Sequence, residues 1–565
     1  MDNFRLILIM ALFFILLLMY QAWQQDYGPK SSTATPPKTH SSSPSPATPE
    51  TATPSTTTTG PSELPSTLEK TNPASGVIEA PLSYQKVLSS ATPLQVETDV
   101  LKLELDTYGG DIRRIDLVAY PLKVETPTQS FRLLNDELPN LFVAQSGLLP
   151  ADNAPTHQTV YQSEQTHYRL ADQADSLEVK LYWQNDKGLK VTKIYTFHRH
   201  SYIIDLKYLV TNASTQPWQG QVYGQFQRSE TDLGQSRFVY TYMGGAISSP
   251  NKRYEKITFD NIREDSLMKE HRPGWTNGWI AMIQHYFVGA WVPEPEQVYN
   301  YYTKALDGSR YVLGLYGPPQ TVAPGTQHSF SLKFYAGPKS QHVLSALSPG
   351  LDLTVDYGWL WFIAQPLFWL LEAIHGLVKN WGWSIIILTI IIKLAFFHLS
   401  ATSYKSMANM RRLHPRLVTL KERYGEDKTR LNQAMMELYK KEKINPLGGC
   451  LPILIQIPVF ISLYWVLLES VELRQASFIW WWQDLSTPDP YFVLPLVMGV
   501  TMLIQHHLNP APIDPVQQKV MMILPIVFTV FFAFFPSGLV LYWLVNNVLS
   551  ITQQWVITKK IAGGV

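Results

Sequence analysis

The sequence holds a single cysteine, Cys450, in 565 residues. An internal disulfide is therefore excluded, and a large domain outside the cytoplasm would have to hold by its core alone. Excess charge of one sign is also lacking: 46 Lys and Arg stand against 45 Asp and Glu, a formal net charge of +1. That balance argues against a nucleic-acid binder, whose contact face tilts the total basic. No P-loop is seen, so no nucleotide-driven step is expected. The histidines, such as His198, His200, His271 and His285, lack metal-ligand spacing and read as ordinary surface or packed residues. No cofactor, metal or catalytic constellation is expected.

The mean hydropathy of -0.06 blends a polar half with a very apolar one, and the length calls for two or more domains. Residues Phe4 to Trp23 form an apolar run broken only by Arg5, about long enough for a hydrocarbon core of ~30 Å. The rival reading is a cleaved signal peptide. Against it, the run ends in Gln21, Trp23, Gln24, Gln25 and Asp26 without a small-x-small site. Residues 1–25 are thus expected to be an anchor, its N-terminus cytoplasmic. Residues 26–77, rich in Pro, Ser and Thr, have almost nothing to bury and read as a disordered tether.

Residues 78–345 change character. Val100 to Leu105, Leu177 to Tyr182 and Ile203 to Leu209 alternate apolar and polar with period two, the pattern of half-buried strands. Many such short runs, punctuated by Pro, Gly and Asn, read as a large β-sandwich. After Ser348-Pro349-Gly350 the chain turns apolar. Residues 357–376 carry Trp359, Trp361, Trp369, an internal Pro366, and Glu372 and His375 near the end. That mixture favours a helix lying in the membrane interface over a span.

Five stretches then have about the length of spans: Trp383 to Leu399, Ile453 to Val471, Tyr491 to Leu508, Val520 to Phe535 and Leu539 to Ile557. With the anchor they put both termini on one side. Eleven Lys and Arg lie between Ala401 and Asn445, whereas Glu472 to Pro490 holds only Arg474. The basic loop is therefore expected in the cytoplasm and the β-domain outside it. Within the loop, Met407, Met410, Leu413, Leu417, Leu420 and Tyr424 recur at helical steps, and Leu431, Met435 and Leu438 repeat the pattern after a break at Gly425. Residues 401–445 thus read as an amphipathic hairpin. It either packs on itself or offers its methionines Met407, Met410, Met435 and Met436 to apolar segments, since Met adapts to varied partners. Its basic face suits anionic lipid or ribosomal RNA.

Lys393 stands inside the first of these spans, where a central Lys costs about 2.5–3.5 kcal/mol on insertion scales. One account is snorkelling toward the cytoplasmic interface. The other is a wet groove, because Thr389, Gln456, Gln505, His506, Asn546 and Asn547 put further polar groups into the spans. Each alone is often helix-helix glue; together they favour a cavity. The sole acid within the spans is Glu469, near the far end of the second. An unpaired ammonium invites an external carboxylate, such as the polar tail of a polypeptide.

Three motifs bear on family: Asn445-Pro446-Leu447-Gly448-Gly449-Cys450, Ser470-Val471-Glu472-Leu473-Arg474-Gln475-Ala476, and Phe535-Pro536-Ser537-Gly538-Leu539-Val540-Leu541-Tyr542-Trp543. Through them the sequence resembles the YidC/Oxa/Alb membrane protein insertases, and within these the YidC branch of Gram-negative bacteria. The resemblance is dense from about Trp381 onward and looser across the β-domain. It implies a polytopic α-helical membrane bundle, an N-terminal anchor plus five core transmembrane helices in 381–565, with a periplasmic β-supersandwich. It further implies a hydrophilic groove open to the cytoplasm, with Lys393 where relatives usually carry Arg, and with Thr389 and Trp543 at positions lining or bordering it. Phe397-His398 departs from the Tyr-Pro common in relatives. The implied partners are nascent membrane proteins, the ribosome, the Sec translocon with its accessory subunits, the signal recognition particle pathway and the lipid bilayer. The implied working state is a monomer in the bacterial inner membrane.

Substrate contact is expected in the groove at Lys393, Thr389, Gln456, Gln505, Trp543 and Asn546, and on the hairpin at Met407, Met410, Met435 and Met436. Two other classes stay open on the residues alone. A transporter could use Lys393 as an anion site, although broken spans and inverted repeats are not evident. An anchored enzyme could act on a saccharide through the β-domain, since such sandwiches resemble sugar-binding folds.

Overall fold

The computed structural model describes residues 88–231, 241–249, 252–264, 275–425, 427–442, 451–509 and 515–562. The expected anchor (1–25), tether (26–77), His271 and the Asn445–Cys450 motif lie outside the described residues. Two compact units divide the chain, one holding 60–411 and 447–565, the other holding the hairpin residues 412–446.

In the larger unit, strands run from Pro93 to Pro338, inside the expected 78–345, and form two mainly antiparallel sheets. The first sheet centres on Trp218–Ser229, Phe142–Leu149, Asp111–Pro121 and Leu101–Asp106. The second centres on Phe287–Pro293, Gln327–Pro338, Ile203–Asn212 and Leu189–His198. Period-two patterning explains why they stack. Leu103, Ile115, Phe142 and Phe226 of one sheet and Val191, Leu206, Val210 and Phe334 of the other are buried in one core. The alternation expected at Ile203 to Leu209 appears directly, with Ile204, Leu206 and Tyr208 buried.

One inward position breaks the apolar rule. Leu189, Val191, Tyr195 and Phe197 alternate inward along their strand, and so does Lys193, fully buried. Its Nζ donates to the carbonyls of Gly109 (2.9 Å) and Ser146 (3.3 Å) and lies over the rings of Tyr161, Tyr195 and Tyr208. Those partners are what make the burial of an ammonium tolerable.

Helices follow the sheets. We label them α1 (Trp361–Val378), α2 (Trp381–Ala395), α3 (Phe397–Tyr424), α4 (Lys428–Lys441), α5 (Leu451–Glu469), α6 (Val493–Leu508), α7 (Pro515–Phe532) and α8 (Ser537–Ala562). A second apolar core joins Phe368 and Leu371 of α1, Ile385 and Leu388 of α2, Leu463 and Val466 of α5, Met498 of α6, Phe532 of α7 and Leu539 and Tyr542 of α8. On α1 the buried residues Ala364, Phe368, Leu371 and Ile374 recur at three and four, while Trp361 and Trp369 face outward.

The stretch expected as one span from Trp383 to Leu399 is not one helix. It ends at Ala395, and α3 sets off from Phe397 at 68° to it. Among the described residues Gly358–Val378, 21 residues at mean hydropathy 1.3, is the one unbroken helix long and apolar enough to cross a membrane. The bent pair Trp381–Ala395 and Phe397–Leu413 would count as a second. Ile455–Glu469, Val493–Leu508 and Gln518–Phe532 are apolar and shorter.

The smaller unit is a helical hairpin. The break expected at Gly425 falls between α3 and α4, whose N-cap Asp427 accepts from the backbone N–H groups of Thr429 and Arg430. Arg416 pairs with Glu442 at 2.7 Å, and Leu413, Leu417, Met435 and Tyr439 are buried.

Candidate functional site

Helix α2 starts on a firm cap: the Asn380 side chain accepts from Trp383 N and donates to the Phe478 carbonyl. Its buried residues include Ile385, Leu388, Thr389 and Lys393, three to four apart and hence on one face. That face packs on α8. Lys393 is 7% exposed, and its Nζ donates to Ser550 Oγ at 2.7 Å. The Ser550 hydroxyl spends its own proton on the Asn546 carbonyl (2.7 Å), so its lone pairs are free to accept. Tyr404 of α3, half-buried, lies close to the same hydroxyl. Among the described residues Lys393 has no carboxylate partner.

The other expected groove residues are distributed unevenly around this ammonium. Thr389 is buried, and its hydroxyl donates back to the Ile385 carbonyl at 2.6 Å, so its proton stays on its own helix. Asn546 contributes its carbonyl to Ser550, while its side chain is half-buried. Gln456 and Gln505 are half-buried on α5 and α6. Trp543 is half-buried between α5 and α7, edge-on to Phe460 at 4.6 Å and near Phe532 at 5.2 Å.

Asn547 and Gln554 do a different job from Asn546. Asn547 Nδ2 donates to Thr501 Oγ1, and Gln554 Nε2 donates to the Leu508 carbonyl and to Asn509 Oδ1. These bonds clasp α8 to the middle and the end of α6, the helix-helix glue that polar residues often supply inside membranes. Gln553 donates to the Phe397 carbonyl, fastening α8 to the break between α2 and α3.

On the hairpin, Met436 is exposed and Met435 is buried, while Met407 and Met410 are half-buried. Of the two methionines on α4, only Met436 faces outward. The stagger follows from one residue turning the side chain by about 100° around a helix.

Sequence reasoning missed Ser550 and Tyr404, since a lone hydroxyl in a long helix carries no signal of its own. It also left the destination of Glu469 unassigned. That carboxylate does not approach Lys393; it pairs with Lys339 of the β-domain at 2.7 Å, both side chains buried.

The whole chain has relatives. A model of the YidC periplasmic domain matches residues 93–370, and one described as the 60Kd inner membrane protein matches residues 373–563. Proteins named membrane protein insertase YidC from Thioalkalivibrio sulfidiphilus and Methylococcus capsulatus are 49% and 50% identical, each over 99% of this chain and 99% of the relative. The one from Alkalilimnicola ehrlichii is 54% identical over 83% of both chains. A solved structure described as an active YidC insertase with the first transmembrane domain resolved aligns with 83% of this chain and 93% of its own, at 18% identity and a TM-score of 0.38. The chain belongs to the YidC family, non-enzymatic membrane protein insertases of the bacterial inner membrane that carry a periplasmic domain.

Proposed function

We propose that this chain inserts and helps fold membrane proteins through a hydrophilic groove built around Lys393. The observation that carries the reading is a buried ammonium held by one neutral hydroxyl, with no carboxylate of its own among the described residues. Such a charge is costly in the membrane and is retained where it binds something. An acidic or polar flank of a nascent segment satisfies it transiently, while the apolar part of that segment passes into lipid. Thr389, Gln456, Gln505, Trp543 and Asn546 line or border the path.

The helices favour a short crossing. The 15 residues of α2 and the 16 of α6 extend about 22–24 Å, against a hydrocarbon core of about 30 Å. A bilayer that thins to match them shortens the route of a polar tail. The membrane potential adds about 2.3 kcal/mol per charge per 100 mV for an acidic tail moving outward.

Helix α1 lies along the interface in this reading. Just before it, Tyr357 accepts from Gln341 of the β-domain (2.6 Å), and near its far end Glu372 pairs with the adjacent His342 (3.3 Å). Both contacts tie this segment to one turn of the domain, at Gln341 and His342, with Trp361 and Trp369 turned outward toward headgroups.

On the cytoplasmic side, the basic hairpin receives apolar segments on Met407, Met410 and Met436, delivered by the ribosome or the signal recognition particle pathway. The chain works as a monomer, alone or beside the Sec translocon, with both termini in the cytoplasm. Site-specific photocrosslinking from positions around Lys393 to a stalled nascent chain tests the path. Crosslinks concentrated there are expected; crosslinks confined to other faces of the bundle would sink it.

A further inference from the structure

Glu469 is the last residue of α5, a poor place for a carboxylate, because the C-terminal end of a helix is the negative end of its dipole. It is also 4% exposed. What makes the placement tolerable comes from the periplasmic domain. Lys339, 2% exposed, donates from Nζ to Glu469 Oε2 at 2.7 Å and to the Thr354 carbonyl at 3.2 Å. It sits just past the long strand Gln327–Pro338, and its own N–H is bound to the Tyr286 carbonyl.

The neighbouring contacts converge on the same turn. The last carbonyls of any helix lack intrahelical partners, and here the Leu468 carbonyl accepts from His285 Nε2 at 3.0 Å. His285 occupies the tip of a hairpin between Ile280–Gln284 and Phe287–Pro293, with φ at 48°. Burial holds its imidazole down to about 4, hence neutral and able to donate. Tyr357 meets Ser470 at 3.3 Å. Val471 joins the core of the sandwich. Arg474 donates to the Pro121 carbonyl at 2.7 Å and lies over the rings of Phe131 and Phe287.

Helix α5 is also a wall of the bundle. It brings Phe460 against Trp543 of α8 and packs along α1. Its extracytoplasmic end is closed by groups of another domain, which fix where that wall stands.

We propose that Lys339 and His285 are positioning residues of the insertase: through Glu469 and the Leu468 carbonyl, the periplasmic domain clamps the outer end of α5 and so sets one wall of the groove. The inference rests on the groove reading given above. It divides the periplasmic domain functionally. The strand end at Lys339 and the hairpin tip at His285 are parts of the insertion machinery, and the distal strands are their scaffold.

The test uses the full chain in proteoliposomes, with Lys339→Met, Lys339→Arg, and Lys339→Glu combined with Glu469→Lys. Two quantities are measured: insertion of a substrate with an acidic tail, and amide exchange at Leu473, Arg474 and Ala476. Lys339→Met is expected to speed exchange at those amides about tenfold and to lower insertion several-fold. Exchange in the paired strands Leu189–His198 and Ile203–Asn212 stays unchanged, which excludes general unfolding. Lys339→Arg or the exchanged pair restores both quantities. Normal insertion by Lys339→Met despite opened exchange would overturn the proposal and leave a structural tie only. A loss of insertion that neither compensating variant repairs also overturns it. A Lys393→Glu control separates the two readings: if that variant inserts normally, the groove reading fails and the wall-setting role falls with it; if Lys393→Glu blocks insertion while Lys339→Met does not, the clamp alone fails.

Discussion

Lys393 and Ser550, 157 residues apart in sequence, are joined by a 2.7 Å hydrogen bond between α2 and α8. The hydroxyl accepts from the ammonium because its own proton is already given to the Asn546 carbonyl. The charge is thereby aimed at α8 without being neutralised.

Charge, more than shape, is expected to matter at Lys393. Lys393→Arg should retain insertion, Lys393→Glu should abolish it for substrates with acidic tails, and Ser550→Ala should reduce it in part. Substrates with neutral tails should be less sensitive to all three. Insertion assays in reconstituted vesicles measure this, and an unimpaired Lys393→Glu would remove the electrostatic step.

Gly382 should tolerate no side chain. A Cβ there would stand 2.1 Å from the Phe478 ring and 2.8 Å from the Phe478 Cβ, so the whole aromatic side chain would have to move. Gly382→Ala is expected to cost about 1–3 kcal/mol, the usual penalty of overpacking. Thermal unfolding in detergent reads it out, and the penalty of Gly382→Ala should be smaller when it is measured in a Phe478→Ala background.

The buried ammonium in the sandwich offers a separate test. Lys193→Met would leave the Gly109 and Ser146 carbonyls without their donor, at about 1–3 kcal/mol for each orphaned group. The sandwich should melt at lower temperature, followed by circular dichroism. An unchanged midpoint would mean that water replaces the ammonium at no cost.

Glu472, beside the clamp, sets a pH dependence. Burial pushes its carboxyl up to about 7, with the nearby Glu372 charge adding to the rise and the His342 and Lys339 charges opposing it. Unfolded, the group titrates near 4.5. The docked state therefore holds a proton that the free chain releases between those values, and docking weakens as pH rises through the window. His285, held down to about 4, has the opposite slope below its ordinary 6.5. Glu472→Gln isolates the first contribution. After correction for intrinsic rates, exchange at Leu473 and Arg474 should rise from pH 5 to pH 8 more in the parent than in this variant. Equal slopes would rule out Glu472 as the group responsible.

The family motifs Ser470 to Ala476 and Phe535 to Trp543 were legible in the sequence, and the relatives bear out the membership they implied. The strands were legible too. Ile203 to Leu209 alternate in the chain, and Ile204, Leu206 and Tyr208 alternate in burial, because side-chain direction along a strand depends only on the residue's parity. The end of α2 at Ala395 was not legible. Phe396 to Leu399 stays mostly apolar despite His398, so the apolar run continues where the helix axis turns. Met435 and Met436 were both expected as substrate contacts, yet neighbours on a helix point in different directions, and of the two only Met436 is exposed.

The sequence by itself determined the classes of segment: a period-two β region, apolar helices, a basic amphipathic hairpin and one stray charge at Lys393. These are local properties, set by nearest-neighbour periodicity and by the transfer cost of each side chain. Only the tertiary structure decided the pairings. Ser550 answers Lys393, and Lys339 answers Glu469 across 130 residues. Partners so distant in the chain are chosen by which faces of which elements pack together, and no local pattern encodes that choice.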